Sequence, residues 1–363
     1  MKNTFGTSVA VTLFGESHGE AIGAVLDGMA PGIRVDADYI ATKMKRRQGA
    51  AELSTKRREP DEVRIVSGVR DGITTGTPIT ILIENTDTHS ADYGKMNTAI
   101  RPGHADYTAY CKYHGFADER GGGHFSGRIT AGLVAAGAIA EMALLGRGIR
   151  IGTHMAACAG IRDRAFGDIA KDLDLLDTDA FPVLSPVQAE LMHRAIIAAR
   201  DEGDSVGGIL ETAVLGLPAG VGEPWFDSLE GVLSHALFSI PAVKGVEFGD
   251  GFALTDMRGS EANDPFYTEN GRVLTKTNRA GGILGGISTG MPLVLRTAIK
   301  PTPSIFRPQA TVDLDGMENT TLAVTGRHDP CIVHRARAVQ DSVTALVLSD
   351  MLALRFGTDW LRG

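Results

Sequence analysis

Histidine, arginine and aspartate crowd into a few short glycine-rich strings of this chain, and these hold the residues able to move protons or bind anions. The first is Gly15-Glu16-Ser17-His18-Gly19. In Arg101-Pro102-Gly103-His104-Ala105-Asp106 a guanidinium, an imidazole and a carboxylate lie within six residues. A histidine with a nearby carboxylate can be held cationic and act as an acid. Arg120-Gly121-Gly122-Gly123-His124-Phe125-Ser126-Gly127-Arg128 leads into an apolar stretch. Its glycines let backbone approach a ligand closely, and a following helix N-terminus offers free N–H groups to an anion. The string matches neither GxGxxG nor the phosphate-loop pattern, so on its own it is generic. Lys300-Pro301-Thr302-Pro303-Ser304 presents a cation and two hydroxyls on a proline-stiffened backbone. Gly326-Arg327-His328-Asp329-Pro330-Cys331 packs four ionisable or nucleophilic side chains into five positions. Each string also has a plain reading, as a turn, a satisfied loop histidine or a solvated loop.

Lys43, Lys45, Arg46, Arg47, Lys56, Arg57 and Arg58 face only Glu52 and Glu59 between them. Such a cluster is either a solvated helix face or a funnel for a multiply charged anion, and the phosphate-like loops favour the funnel. The whole chain is acidic, with 36 Lys and Arg against 44 Asp and Glu and a formal net charge of -8. General nucleic-acid binding is therefore disfavoured. Cys111, Cys158 and Cys331 are odd in number and form no CxxC pair. That suggests neither a disulfide framework nor a zinc ribbon, and fits a reducing cytoplasm. Residues 129–140 are charge-free but too short to span a bilayer, and the N-terminus lacks an apolar signal core. The expectation is a soluble, complete chain with no membrane partner. The residues alone point to an enzyme for a small, highly anionic substrate or cofactor. A metal-dependent hydrolase built on His18, His104, His124 and Asp329 is a rival, although no HExxH-like spacing supports it and no metal is expected. A nucleotide-binding or regulatory module using the glycine loops is another.

The elements that must position these strings are legible from periodicity. Alternation marks strands at Val9, Val11 and Leu13, at Val63 and Ile65, at Ile79, Ile81 and Ile83, and from Leu293 to Ile299. Ser185 and Pro186 open a helix that Gly203 stops; a second starts near Asp227; a third runs from about Arg337 to Phe356. The stretch 129–145 is apolar nearly all round and reads as a buried helix. Strands and helices do not alternate regularly, which argues for α+β layers over a doubly wound parallel sheet. Residues 68–81 and 282–295 share Gly, Gly, Ile, a hydroxyl, Thr, Gly, Pro and alternating aliphatics at identical spacing. This pattern predicts a duplicated unit, each copy a turn feeding an edge or curved strand. Glycine, at 45 of 363 residues, is well above the roughly 7% usual in proteins.

Taken together, FGESHG, RREPDEV, TTGTPI, NTD, RPGHADY, the RGGG loop, GDSVGG, PAGVGEP, AVKGVEFGDGF, AGGILGGISTG, KPTPS and GRHDPC, all in order, resemble the chorismate synthase family over essentially the whole chain. The resemblance implies a single domain over residues 1–363, a layered β-α-β sandwich with antiparallel sheets flanking a helical core, in two pseudo-symmetric halves. It implies a cytoplasmic homotetramer that eliminates phosphate from 5-enolpyruvylshikimate 3-phosphate to give chorismate for aromatic amino-acid synthesis. Reduced FMN is the implied cofactor, with no net redox change. At this length the monofunctional type is expected, with an external flavin reductase and NADPH as indirect reductant. The resemblance assigns His18 to the flavin, His104 to the departing phosphate and Asp329 to the proton relay. FMN contacts carry over to His124, Phe125, Ser126, Pro241, Ala242, Gly285, Lys300, Pro301, Thr302, Pro303, Ser304 and Arg327. Substrate or NADP contacts fall on Arg46, Arg47, Arg128 and Arg335 or Arg337. Many members read RGGGRSSAR where this chain reads RGGGHFSGR, and a second basic position usual in the family falls near Leu53 here.

Overall fold

The structure is a computed structural model that describes residues 2–49, 53, 60–86, 99–178, 181–324 and 329–363. Two five-stranded antiparallel sheets enclose a layer of helices. In the first sheet the strands lie side by side as Thr4–Phe5, Ala10–Gly15, Ala21–Asp27, Ile79–Glu84 and Arg64–Ser67. In the second they lie as Ile161–Arg162, Arg150–Cys158, Gly208–Leu215, Leu293–Ile299 and Val243–Phe248. The alternating aliphatics behave as their period demands: Ala24 sits opposite both Leu13 and Ile81, and the inward-facing Ile22, Ala24, Leu26, Ile81 and Ile83 are all fully buried.

The helices Thr130–Gly146 and Val333–Phe356 pack on each other at the centre, the first also against the N-terminal sheet and the second against the C-terminal one. Ala37–Gln48 and Leu229–Leu237 flank them. Close approach explains some of the glycine. A Cβ on Gly132 would lie 2.7 Å from the backbone of Gly23, and one on Gly137 would lie 2.2 Å from the Ser342 Cβ. By length and composition Gly127–Gly146 could cross a bilayer, being longer than the charge-free stretch alone, yet 83% of its most apolar window is buried inside the protein.

The helix expected near Asp227 runs from Leu229 to Leu237, capped by Ser228, whose hydroxyl accepts from the Gly231 N–H at 3.0 Å, and Asp227 ends a separate short turn just before it. Two local expectations need correction. The C-terminal helix begins at Val333, four residues before Arg337, because Val333 and Ala336 already face the core. The repeated glycine-rich strings form short hairpins, Val69–Arg70 with Ile73–Thr74 and Ile283–Leu284 with Ile287–Ser288. The strands that follow are interior, not edge strands. Pro78 and Pro292 stand just before those strands, where their missing N–H groups cost the ladders nothing.

Candidate active site

Three glycines with positive φ, Gly121, Gly122 and Gly123, form the floor of the site between the N-terminal sheet and the central helix. Space requires glycine at 121 and 123, and at 122 the φ of +84° does. A Cβ on Gly121 would stand 2.1 Å from His18 Cε1, and one on Gly123 would collide with the Asp118 carbonyl at 1.7 Å. A Cβ on Gly122 would stand 3.5 Å from His104 Nε2 and Cε1. His18 and His104, 86 residues apart in sequence, therefore bear on adjacent residues of one loop. His18 leaves the end of strand Ala10–Gly15 on a turn locked by the Ser17 N–H donating to the Gly123 carbonyl at 3.1 Å.

His104 precedes helix Asp106–Tyr113 and is held by its neighbours in sequence. Its Nδ1 lies 2.5 Å from Asp106 Oδ1. Arg101 donates to the same carboxylate from Nη2 at 2.7 Å, from Nε at 2.8 Å and from its backbone N–H at 2.9 Å. Burial works against the Asp106 charge, but hydrogen bonds from Arg101 and His104 outweigh it and hold the carboxyl well below the usual carboxylate range.

A second set of charges joins distant parts of the chain. Asp329 Oδ2 accepts from Arg335 Nη1 at 2.7 Å, and Arg335 Nε donates to the Arg47 carbonyl at 2.9 Å. Arg47 and Arg128 both donate to the buried carboxylate of Asp61, with Gln48 Nε2 adding a contact at 3.2 Å. Arg128 Nε also donates to Asn85 Oδ1 at 2.9 Å, and Asn85 Nδ2 donates to the carbonyls of Glu16 at 3.0 Å and Gly19 at 2.8 Å. The chain of contacts thus runs from Asp329 to the turn that carries His18. Burial raises the cost of the Asp61 charge, yet Arg47 and Arg128 pull its carboxyl below the usual range. Burial lowers the Arg47 guanidinium despite Asp61, helped by repulsion from Arg335 and Arg128. Among the described residues, Arg47 Nε is buried with no hydrogen-bond partner.

Lys300 donates to the Gly103 carbonyl beside His104, and the Ala242 carbonyl accepts from the Lys300 N–H at 3.0 Å. Burial, with Lys244 nearby, pulls the Lys300 ammonium below its ordinary value. Pro303 also faces Gly103, and the Thr302 carbonyl accepts from Ser205 Oγ at 2.7 Å. Pro301 packs at Gly207, and Ser304 is half-buried in the same segment.

His124 and Phe125, the departures from the usual glycine-loop pattern, have structural work. His124 Nδ1 lies 2.8 Å from the Gly15 carbonyl, tying the loop to the strand end before His18. Phe125 packs edge-on against Tyr113 at 6.1 Å between centroids, on the helix that follows His104. Ser126 Oγ caps the next turn, accepting from the Arg128 N–H at 3.3 Å. Leu53, near which a basic position is expected, is fully buried in the core.

The basic cluster is not one funnel. Lys43 turns inward to pair with Glu141 and, at 3.7 Å, with Asp341. Arg46 turns to Asp177, donating to its carbonyl at 2.7 Å. Of the basic residues described on this helix, Arg47 joins the contacts above, beside Gln48, while Lys56, Arg57 and Arg58 lie outside the described residues. Arg337 is likewise elsewhere, 2% exposed and donating to the Leu176 carbonyl at 3.1 Å, so Arg335 is the arginine of that pair beside Asp329. Gly285 sits at the exposed tip of a hairpin whose neighbour Gly286 accepts from the Leu229 N–H at 2.9 Å. Pro241 is exposed next to Ala242, whose φ is +75°. Arg327 lies outside the described residues. Among the described residues no group of three or more His, Cys, Asp and Glu side chains is arranged to hold a metal ion.

Reasoning from sequence passed over Asp61, Asn85 and the clamp role of Arg101. Asp61 has one faint local signal, a position directly after Pro60 and a φ of +50° in the folded chain.

Comparison with known proteins agrees over nearly the whole length. The family model described as chorismate synthase matches residues 9–353. A protein named chorismate synthase from Thermococcus gammatolerans is 48% identical over 356 residues, covering 96% of this chain and 97% of its own. One of the same name from Dehalococcoides mccartyi is 48% identical over 360 residues, covering 98% of each. A crystal structure of chorismate synthase superposes with a TM-score of 0.77 at 28% identity, covering 98% of this chain and 94% of that one. With a fold, a motif order and a sequence all held in common, this chain belongs to the chorismate synthase family.

Proposed function

We propose that this chain converts 5-enolpyruvylshikimate 3-phosphate to chorismate by 1,4-elimination of phosphate, using reduced FMN without net redox change. The observation that carries this reading is the meeting of two histidines on one glycine loop, joined through Asn85, Arg128, Asp61, Arg47 and Arg335 to Asp329. The substrate bears two carboxylates and a phosphate, and Arg47, Arg128 and Arg335 supply the positive field. Arg47 Nε, buried and without a partner among the described residues, is a donor suited to an anion. His104 protonates the departing phosphate as its C–O bond breaks. Asp329, oriented by Arg335, serves the removal of the ring proton from the opposite side.

The residues fit the flavin that the family implies. Glycine at 121 lets His18 lie directly against the loop backbone, and glycine at 122 leaves the loop bare where it faces His104, so both imidazoles would stand beside a flavin held at this loop. Lys300 brings a cation to the Gly103 carbonyl beside His104, and Thr302 Oγ1 is buried with no hydrogen-bond partner among the described residues, a donor set suited to a phosphate. When bound, the reduced flavin supplies electron density transiently to a conjugated system, which an elimination of this kind requires. An external flavin reductase drawing on NADPH completes the reading, together with a monofunctional chain working in the cytoplasm. A homotetramer is part of it too, and the strongly exposed Trp225, Phe226 and Phe252 support association.

Two variants test the assignment. His104→Ala and Asp329→Ala should each lower turnover about ten- to a thousandfold while leaving FMN affinity nearly intact, as general acid–base roles do. Loss of flavin binding, with turnover per bound flavin unchanged, would move both residues to a structural role.

A further inference from the structure

The geometry around His104 fixes which of its nitrogens carries the exchangeable proton. Nδ1 stands 2.5 Å from Asp106 Oδ1, a distance at which a bare ring nitrogen and a carboxylate oxygen would oppose two lone pairs. An ionised carboxylate can only accept, so the proton of that contact belongs to Nδ1. Arg101 Nη2 is also near Nδ1, at 3.0 Å, but a guanidinium only donates, and its proper partner is the carboxylate it already grips. Asp106 Oδ1 receives Arg101 Nη2 and His104 Nδ1; Asp106 Oδ2 receives the Arg101 Nε and backbone N–H. Both oxygens are thus committed. On the other edge of the ring, Nε2 and Cε1 face Gly122, 3.5 Å from where a Cβ would stand. Lys300 also reaches this place, donating to the adjacent Gly103 carbonyl.

We infer that Asp106, clamped by Arg101, is a positioning residue that keeps a proton on His104 Nδ1, so that Nε2 is the nitrogen that trades its proton on the glycine-loop side. This rests on the reading of His104 as the acid for the leaving phosphate. Loss of the Nε2 proton to the phosphate then leaves a neutral ring of one defined tautomer, still bonded to Asp106, and the same nitrogen is free to be reprotonated for the next turnover. Without Asp106 a neutral imidazole in water favours the opposite tautomer, with its proton on Nε2 and Nδ1 bare.

The test is magic-angle-spinning 15N spectroscopy of the full chain labelled at histidine, with the His104 signals assigned by their loss in His104→Ala. At a pH where the ring is neutral, the wild type should show Nδ1 protonated and Nε2 bare, and Asp106→Ala should reverse this. In the assay, Asp106→Ala should lower kcat about 100-fold with KM little changed, the pattern of an orienting carboxylate lost from a histidine pair. Asp106→Glu should recover part of both effects. A wild-type His104 with its proton on Nε2 overturns the inference, as does an Asp106→Ala enzyme of undiminished kcat. Should Asp106→Ala fail to fold, the wild-type tautomer decides alone. If His104→Ala keeps full activity, the acid assignment itself falls, whatever the tautomer; if His104→Ala is inactive but the tautomer is reversed, only the role of Asp106 falls.

Discussion

Asp61 is where the site's positive charges are held together. Its buried carboxylate binds Arg47 and Arg128, which would otherwise repel each other in a dry environment. Asp61→Asn keeps the shape and removes the charge, so it should destabilise the protein by about 3–5 kcal/mol, the usual cost of breaking a buried pair. Urea denaturation measures this, and an unchanged midpoint would contradict it. The pH dependence has a defined sign. The folded-state pKa of Asp61 is depressed, so its contribution is complete above the unfolded value of about 3.9 and is lost as pH falls through the lower folded value. The gap between wild type and Asp61→Asn should therefore be widest near neutrality and close in acid. At this scale the histidines were legible, because glycine, arginine and histidine rarely share a short string without reason. The bridging role of Asp61 was not, since one carboxylate among 44 acidic residues acquires its meaning only when Arg47 and Arg128 arrive from elsewhere in the fold. Nor could sequence separate Arg46 from Arg47: one residue of helical rotation sends the first to Asp177 and the second to Asp61.

The central helix pair sets the spacing between the two sheets. Gly137 meets Ser342 where the helices cross, and a Cβ there would sit 2.2 Å from the Ser342 Cβ, far inside contact distance. Gly137→Ala should therefore cost about 1–3 kcal/mol through overpacking, despite the better helix propensity of alanine. Gly146, in the same helix, has open space around its Cβ position, so Gly146→Ala should not destabilise. Thermal denaturation of the two variants side by side checks the contrast; equal loss would show that the crossing is not tight. The buried helix was readable from its uniform apolarity, and the interior strands from their alternation. Their partners were not, because periodicity gives the face a strand buries and not the neighbour it finds.

At the scale of the molecule the two sheets repeat one plan. In each, four successive strands lie in the spatial order first, second, fourth, third: Ala10–Gly15, Ala21–Asp27, Ile79–Glu84 and Arg64–Ser67 on one side, Arg150–Cys158, Gly208–Leu215, Leu293–Ile299 and Val243–Phe248 on the other. A helix follows the second strand, a short hairpin precedes the fourth, and a long central helix comes after it in both halves. We propose that the chain is a duplicated unit, and the matching strings at 68–81 and 282–295 fall at the same place in each copy. The elements were thus visible in the sequence, but the contacts that run from Asp329 through Arg335, Arg47, Asp61, Arg128 and Asn85 to the turn of His18 were not, for they span almost the full chain. The acidic total of -8 conceals a local positive site in the same way. The proposal that this chain performs the elimination itself is decided by an anaerobic assay of the purified protein with 5-enolpyruvylshikimate 3-phosphate and chemically reduced FMN, following chorismate absorbance. The expected result is chorismate and phosphate formed in equal amounts over many turnovers with the flavin still reduced at the end; bound reduced flavin and bound substrate with no chorismate would contradict the account.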